Sequence, residues 1–471
     1  MSFLLRDAMA IWSAGVQAVT PQNLFAEKLS VQNKSLIVKD HCDLDLSGCK
    51  RLIVVGAGKA SAAMAIAFYR CTWPKIVAAL RGKEPQLSGW INCPDGAFDP
   101  QAQEGCPIYL HAARPVGVNQ PTEEAVEGTR QILRLVRSAT SQDVVLCLIS
   151  GGGSALLPCP IEGVSLQDKQ AIARLVSEAG GTITQLNQIR GALSEVKMGG
   201  LARACGASQL VSLIISDVIG DPLQVIASGP TVLDAHVDPQ AALGVLTDLG
   251  LRDHADLRQV RLVLERMPAA PIQKGSSSSV TNVILANNID AVDAAGVHAV
   301  NLGYRYVMQA ANGHEGEVMQ FAQQAVQAAW LLSQQSEVDC WISGGEPTAK
   351  LPTPCGKGGR NQQLALAVLD GLAKRGWPES GGRSLAFLSG GTDGEDGPTD
   401  VAGAMWDEDV WREARNMGIM PVDFLARADA YHFFEPLHSL FRTGPTGTNV
   451  CDLRIALTAP RESQGMDIGN V

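Results

Sequence analysis

The chain has 471 residues, 46% hydrophobic and 18% charged, with 48 glycines; that length makes two α/β domains the default, because a single core stops growing well before it. Its 38 Lys+Arg against 48 Asp+Glu give a net charge of −10, with only 5% aromatics, which argues against nucleic acid or an anionic membrane as partner. Any anion must therefore be held by local clusters of cations and amides.

In chain order, the opening MSFLLRDAMAIWSAGVQAV has no basic n-region or small-residue cleavage pattern and reads as an amphipathic helix. Arg6 is the sole arginine of the first 27 residues, too few for a mitochondrial presequence, so the cytoplasm is expected. The 11 cysteines form no Cys-x-x-Cys pair and read as reduced core thiols of a reducing compartment. No run approaches the roughly 18 apolar residues of a membrane span. A hairpin is expected at SLIVKD. RLIVVGAG then reads as a buried strand leading into the helix KASAAMAIAFYR, its unbroken apolar run fitting a parallel sheet covered on both faces. IVAALRG is predicted as a second strand. Thr122 to Ser138 is helical and precedes the strand DVVLCLISGGG; Ser165 to Ala179 and Thr182 to Ser194 are helical; Gln209 to Asp221 is a strand ending in an acidic loop. TNVILANNIDAV begins another strand and helix, EVMQFAQQAVQAAWLLSQQ is a helix, and two further strands and the loop RTGPTGTNVCDL follow.

This alternation predicts an α/β protein of two domains, each a mostly parallel sheet flanked by helices, with an interdomain cleft. The expected boundaries are a Rossmann-like domain over 1–267, able to recruit part of 280–335; a Pro/Ser/Gly-rich linker or mobile loop at 268–279; a C-terminal α/β domain over 280–457; and a frayed tail, 458–471.

Three hydrophobic runs end in Ser-Gly-Gly, at Ser150, Ser343 and Ser389, and a fourth ends in Gly56-Ala57-Gly58-Lys59. Strand, glycine loop and helix start together present bare amides to an anion. Gly56-Ala57-Gly58-Lys59 is neither a dinucleotide fingerprint, since Ser61 occupies the third glycine position and no acidic residue follows at the required distance, nor a Walker A loop. Lys59 is either a solvated lysine or a cation aimed at phosphate or carboxylate. Gly151, Gly152 and Gly153 with Ser154 exceed what a tight turn needs and suit an amide cradle. Asp217 and Asp221 follow a buried strand, where α/β sheets bind ligands; they read as helix caps or as Mg²⁺ ligands. Ser228 in ASGPT offers a hydroxyl. TDGEDGPTD gathers Asp393, Glu395, Asp396 and Asp400 without the EF-hand pattern. Arg360 opens a helix with Asn361 beside it and suits a carboxylate or phosphate; TGPTGTN, with Thr446 and Asn449, reads as another ligand loop. No nucleophile elbow, zincin or protein-kinase signature is present.

Taken together and in this order, GAGKA, ISGGGSALL, Asn187 to Arg190, ALSEVK, LIISDVIGDPLQVIASGPT, GGEPT, GGRNQ, SGGTDGEDGPTD and TGPTGTN resemble the class II glycerate kinases, whose C-terminal half is called the MOFRL domain. The resemblance spans roughly Arg6 to Leu457. It implies transfer of the ATP γ-phosphoryl group to a hydroxyl of D-glycerate with Mg²⁺, within glycerate and serine metabolism, at a cleft between two α/β domains. It points to Lys59 and Arg360 as catalytic cations. Gly56, Gly58, Ser150, Gly151, Gly152, Gly153, Ser154, Arg190, Lys197, Ser228, Glu346, Asn361, Thr392, Thr446 and Asn449 are the implied substrate and nucleotide contacts, and Asp217, Asp221, Asp393 and Asp396 the implied metal or base carboxylates. Class II members mostly make 2-phosphoglycerate, whereas animal relatives are assigned the 3-phosphate. Some relatives bear the name hydroxypyruvate reductase, against which the failed dinucleotide fingerprint argues. A non-catalytic sensor of glycerate or nucleotide is the rival from another class. The chain departs from the family pattern at Arg114, where a histidine is usual, at Thr122, near a usual aspartate, at Gly191, where a lysine is usual, and at Met198, within a usual Lys-Gly-Gly.

Overall fold

A computed structural model of the chain describes residues 1–115, 120–234, 238–267, 279–311, 313–334, 337–379 and 382–460. All but the last residue of the expected linker, and the tail from 461, lie outside the described residues. The chain forms two compact units, one of Pro21–Ala286 and one of residues 1–20 together with those from Asn287 on.

The Pro21–Ala286 unit is built on six parallel strands: β1 (Arg51–Ala57), β2 (Gln86–Pro94), β3 (Ile108–Arg114), β4 (Asp143–Ser150), β5 (Gln209–Ile215) and β6 (Ser279–Ala286), in the order β3-β2-β1-β4-β5-β6. β1 and β4 are near-continuous apolar runs because both faces are covered. The chain leaves β1 in one direction and returns to its other side as β4. Their C-terminal ends therefore flank the point where strand order reverses, the usual ligand crevice of such sheets. The expected hairpin is part of a small antiparallel sheet of Leu29–Gln32, Ser35–Val38 and Cys42–Asp45. IVAALRG is not a strand. It lies in the helix Trp73–Leu80, whose proline occupies the first turn and whose buried residues, Ile76 and Leu80, are four apart; a short apolar run does not reveal its period. The second strand is β2.

The other unit holds β7 (Tyr306–Gln309), β8 (Cys340–Gly345), β9 (Leu385–Gly391), β10 (Gly403–Trp406), β11 (Leu440–Phe441) and β12 (Asp452–Thr458), in the order β7-β8-β12-β9-β10-β11. This sheet is mixed rather than mostly parallel: β7 and β8 pair in parallel, while every other pairing is antiparallel. The connection from β9 to β10 is too short for the crossover that a parallel neighbour requires, and β12 inserts between β8 and β9. The insertion places Asp452 level with both Gly345 and Gly391, where the second and third Ser-Gly-Gly strands end.

The helix Phe3–Ala18 packs in this second unit and not with the residues that follow it. Leu4, Leu5, Ala8, Ile11, Trp12 and Val16 share a core with Val292, Ala295, Leu453 and Ile455, and the Trp12 indole donates to the Gly390 carbonyl at 3.3 Å. Burying each of the larger side chains contributes roughly 1.5–3 kcal/mol. Among the described residues no helix is long and apolar enough to cross a membrane.

Candidate active site

At the reversal point of the parallel sheet the first two glycine loops lie against one another. A Cβ on Gly56 would fall 2.0 Å from the Leu148 carbonyl, and one on Gly58, where φ is +146°, 2.1 Å from Ser150 Oγ; only glycine permits this approach. The Lys59 amide donates to the Gly151 carbonyl at 2.8 Å and the Ala60 amide to Ser150 Oγ at 2.9 Å. Ser150 is fully buried, so its hydroxyl stitches the loops together. Gly152 sits at φ +73° before the short helix Gly153–Leu156. The Lys59 stem and the Arg114 guanidinium each come within 3.4 Å of the place where a Gly152 Cβ would stand. Arg114, 3% exposed at the end of β3, thus borders the same glycine as Lys59. Gly153 is needed for packing, since a Cβ there would press on Ala227 at 2.9 Å.

Beside this loop Lys197, 4% exposed, donates from Nζ to Ser154 Oγ at 2.7 Å, and Ser154 Oγ lies 3.0 Å from Ser228 Oγ. Ala227 and Ser228 take left-handed φ values of +51° and +64°, a strain of about 1–3 kcal/mol each for residues with a Cβ. The Met198 and Gly199 amides hold that turn by donating to the Ser228 and Gly229 carbonyls at 2.9 and 2.7 Å. Burial, reinforced by Lys169 and Arg190, holds the Lys197 ammonium well below the ordinary lysine range. Two of the departures are neighbours: a Cβ on Gly191 would meet Met198 Cγ at 2.5 Å, so the methionine fills the space over the glycine. Thr122 caps the helix Glu123–Ser138 by accepting from the Ala125 amide. Asp217 and Asp221 are half-buried just beyond β5.

In the second unit the site residues converge on Asp452. Arg360 donates from Nε and Nη2 to the two Asp452 oxygens at 2.8 and 2.9 Å, and from Nη1 to Glu346 at 2.8 Å. Burial alone would raise the Asp452 carboxyl, but the charge and hydrogen bonds of Arg360 prevail and hold it below the ordinary range. Glu346 is raised by burial, against the pull of Arg360 and with the push of Asp452 and Asp393. Asn361 is buried and fully engaged, donating to Asp452 at 2.9 Å and accepting from Ser389 at 2.6 Å. Asp396 accepts from the Asn361 and Gln362 amides at 2.9 and 2.8 Å; its carboxylate closes the N-terminus of the helix Arg360–Lys374. Burial nevertheless pushes its carboxyl up to about 6, against those two amides.

Three expected contacts turn inward. Thr392 is buried; its hydroxyl donates to the Cys451 carbonyl at 2.6 Å and accepts from the Val450 amide at 2.8 Å. Thr446 donates to the Thr392 carbonyl at 2.6 Å, and the Asn449 side chain accepts from the Cys451 amide at 3.4 Å. These groups shape the last loop. Lys59 and its glycine loops belong to one unit, Arg360 and its acids to the other.

No group of three metal-ligating side chains occurs among the described residues. Mg²⁺ is commonly held by one or two carboxylates plus substrate phosphate, and Asp217, Asp221 and Asp393, half-buried near strand ends, fit that donor chemistry. Asp396, committed to a helix start, fits it less well.

The sequence reading omits Asp452, the carboxylate that organises the second cluster. Its signal was its place three residues after the TGPTGTN loop, at the head of an apolar run.

The profile of the domain of unknown function DUF4147 matches residues 7–265, and that of the MOFRL family residues 339–452. A human glycerate kinase is 36% identical, the alignment covering 97% of this chain and 94% of the relative. A protein of Agrobacterium vitis provisionally named a hydroxypyruvate reductase is 34% identical over 86% of this chain and 99% of its own. The crystal structure of a glycerate kinase from Thermotoga maritima superposes with a TM-score of 0.76 at 28% identity, covering 96% of this chain and 99% of that one. With one profile over more than half of its length and a curated relative aligned from end to end, the chain belongs to the glycerate kinase family that joins a DUF4147 domain to a MOFRL domain.

Proposed function

We propose that the chain transfers the γ-phosphoryl group of ATP to a hydroxyl of D-glycerate, giving 2-phosphoglycerate and ADP. The observation that carries this reading is the pair of interlocked glycine loops at the sheet reversal, bordered by Lys59 and Arg114 and abutted by buried Lys197. Such a place offers amides and cations to an oxyanion and places no carboxylate on the loop itself. Phosphoryl transfer asks little covalent chemistry of a protein; positioning and cations on the developing charge suffice.

Lys59 and Arg360 are the catalytic cations in this reading. Arg360 has five N–H donors, of which three are engaged; the remaining two can address a substrate carboxylate or the transferred group while Asp452 fixes the guanidinium plane. Gly151, Gly152 and Gly153 present amides, and Lys197 with Ser154 and Ser228 holds an oxyanion beside them. Asp217, Asp221 and Asp393 are the carboxylates that would hold Mg²⁺ or accept the hydroxyl proton; the ion, when bound, neutralises charge on the phosphate oxygens. No disulfide joins any of the eleven cysteines, all of them among the described residues, which supports a cytoplasmic setting.

The test is ADP release from MgATP with and without D-glycerate, beside NADPH oxidation with hydroxypyruvate. Glycerate-dependent ADP release is expected. NADPH consumption in its place would establish the reductase that one relative's name suggests, and ligand binding without turnover would establish the sensor. Phosphorus NMR of the product distinguishes the 2- from the 3-phosphate.

A further inference from the structure

Lys169 is a buried cation without a counter-charge. It is 8% exposed, and its Nζ has no hydrogen-bond partner among the described residues. It lies in the first turn of the helix Leu166–Glu178, on the face that buries Leu166, Ile172, Leu175 and Val176. The Ser165–Asp168 capping box closes that helix start, where the dipole disfavours a positive side chain. Burial without a partner disfavours it further. Arg190 acts on Lys169 with the same sign, and both act on Lys197; the opposing group, the Cys159 thiol, is itself pushed up to about 11 by burial and so brings no charge near neutral pH. Lys197 in turn rests on Ser154 at the end of the three-glycine loop.

Two buried lysines and a half-buried arginine that act on one another with the same sign, Lys169 Nζ being without a hydrogen bond, make sense when a ligand brings the negative charge. We propose that Lys169 joins Lys197 and Arg190 in binding an oxyanion of one substrate, the phosphate chain of ATP or the carboxylate of glycerate. The proposal rests on the kinase reading for the identity of those ligands and assigns the recognition of one of them to a residue outside the glycine loops.

The test uses the full chain and direct binding, so it does not depend on turnover. Lys169→Met keeps the stem and removes the charge; Lys169→Arg keeps the charge; Lys169→Gln is a second neutral variant. Calorimetric titration with MgATP and, separately, with D-glycerate should show one ligand bound roughly tenfold or more weakly by the neutral variants, the other unchanged, and much of the loss restored in Lys169→Arg. The ligand that weakens identifies the source of the oxyanion. Unchanged affinity for both, equal loss for both, or failure of both neutral variants to fold overturns the proposal, because each makes Lys169 a structural cation. A wild-type protein that binds in this Lys169-dependent way yet releases no ADP would sink the kinase reading and leave the anion site standing.

Discussion

Asp452 grips Arg360 through two parallel hydrogen bonds, Nε to Oδ2 at 2.8 Å and Nη2 to Oδ1 at 2.9 Å, with the carboxylate 1% exposed and the arginine 32%. Removing one partner of a buried pair strands the other and typically costs about 3–5 kcal/mol. The partial exposure of Arg360 places Asp452→Asn near the lower end, about 3 kcal/mol in urea unfolding. Turnover should fall by roughly 100-fold, since Arg360 loses its fixed plane. A variant of wild-type stability and rate would show that the pair neither holds the fold nor aims the arginine.

Lys59→Ala should fold normally, because the substitution keeps the backbone amide that ties residue 59 to the Gly151 carbonyl. Its kcat should drop by about 100-fold or more, the usual effect of removing one group that stabilises transition-state charge. Full turnover with MgATP and D-glycerate would take the lysine out of the mechanism.

Thr392→Val separates a ligand contact from a structural one. The hydroxyl serves the Cys451 carbonyl and the Val450 amide; the carbonyl keeps the Thr392 amide as donor, but leaving the buried Val450 amide unsatisfied costs about 1–3 kcal/mol. The expected outcome is a lower melting temperature with KM for both substrates unchanged. A raised KM at undiminished stability would return Thr392 to the substrate.

Burial, assisted by Arg190 and offset by Cys159, pushes the Lys169 ammonium down to about 8, below its unfolded value near 10.5. A depressed base costs the folded state most below pH 8, where the buried group is charged, and the cost fades as pH rises towards 10.5. Without ligand, Lys169→Met should therefore be more stable than wild type by about 3 kcal/mol at neutral pH, with the gap narrowing between pH 8 and 10.5. Paired unfolding curves across that range check it; a gap that widens with pH would mean that the ammonium is paired in the folded state.

Much of the first unit is legible because its strands are long apolar runs bounded by glycine, and such runs declare a buried parallel sheet. The loops at Gly58 and Gly152 are legible for a related reason, as their backbone geometry excludes other residues. IVAALRG shows the limit, since seven apolar-rich residues fit either period. Asp452 escapes because strand direction leaves no mark on composition: an antiparallel β12 brings its first residue, not its last, to the ligand end of the sheet. The hydroxyls of Thr392 and Thr446 bond to the backbone of their own neighbouring loops, a use that composition does not reveal. Lys169 sits in LQDKQ, whose polar surroundings disguise an inward-facing lysine.

The helix Phe3–Ala18 carries a consequence for synthesis. Its Trp12 bonds to Gly390, 378 positions away, and the strand β12 that forms its floor comes later still. This helix leaves the ribosome before the strands it packs on and must therefore keep Leu4, Leu5, Ile11 and Trp12 unsatisfied while the whole Pro21–Ala286 unit is made and can fold. At about 5–20 residues per second the wait for β12 is roughly twenty to ninety seconds. A nascent chain with such an interval needs either a transient shelter for that apolar stripe or a chaperone, and placing the helix just after β12 in the sequence would shorten the interval to the length of a linker.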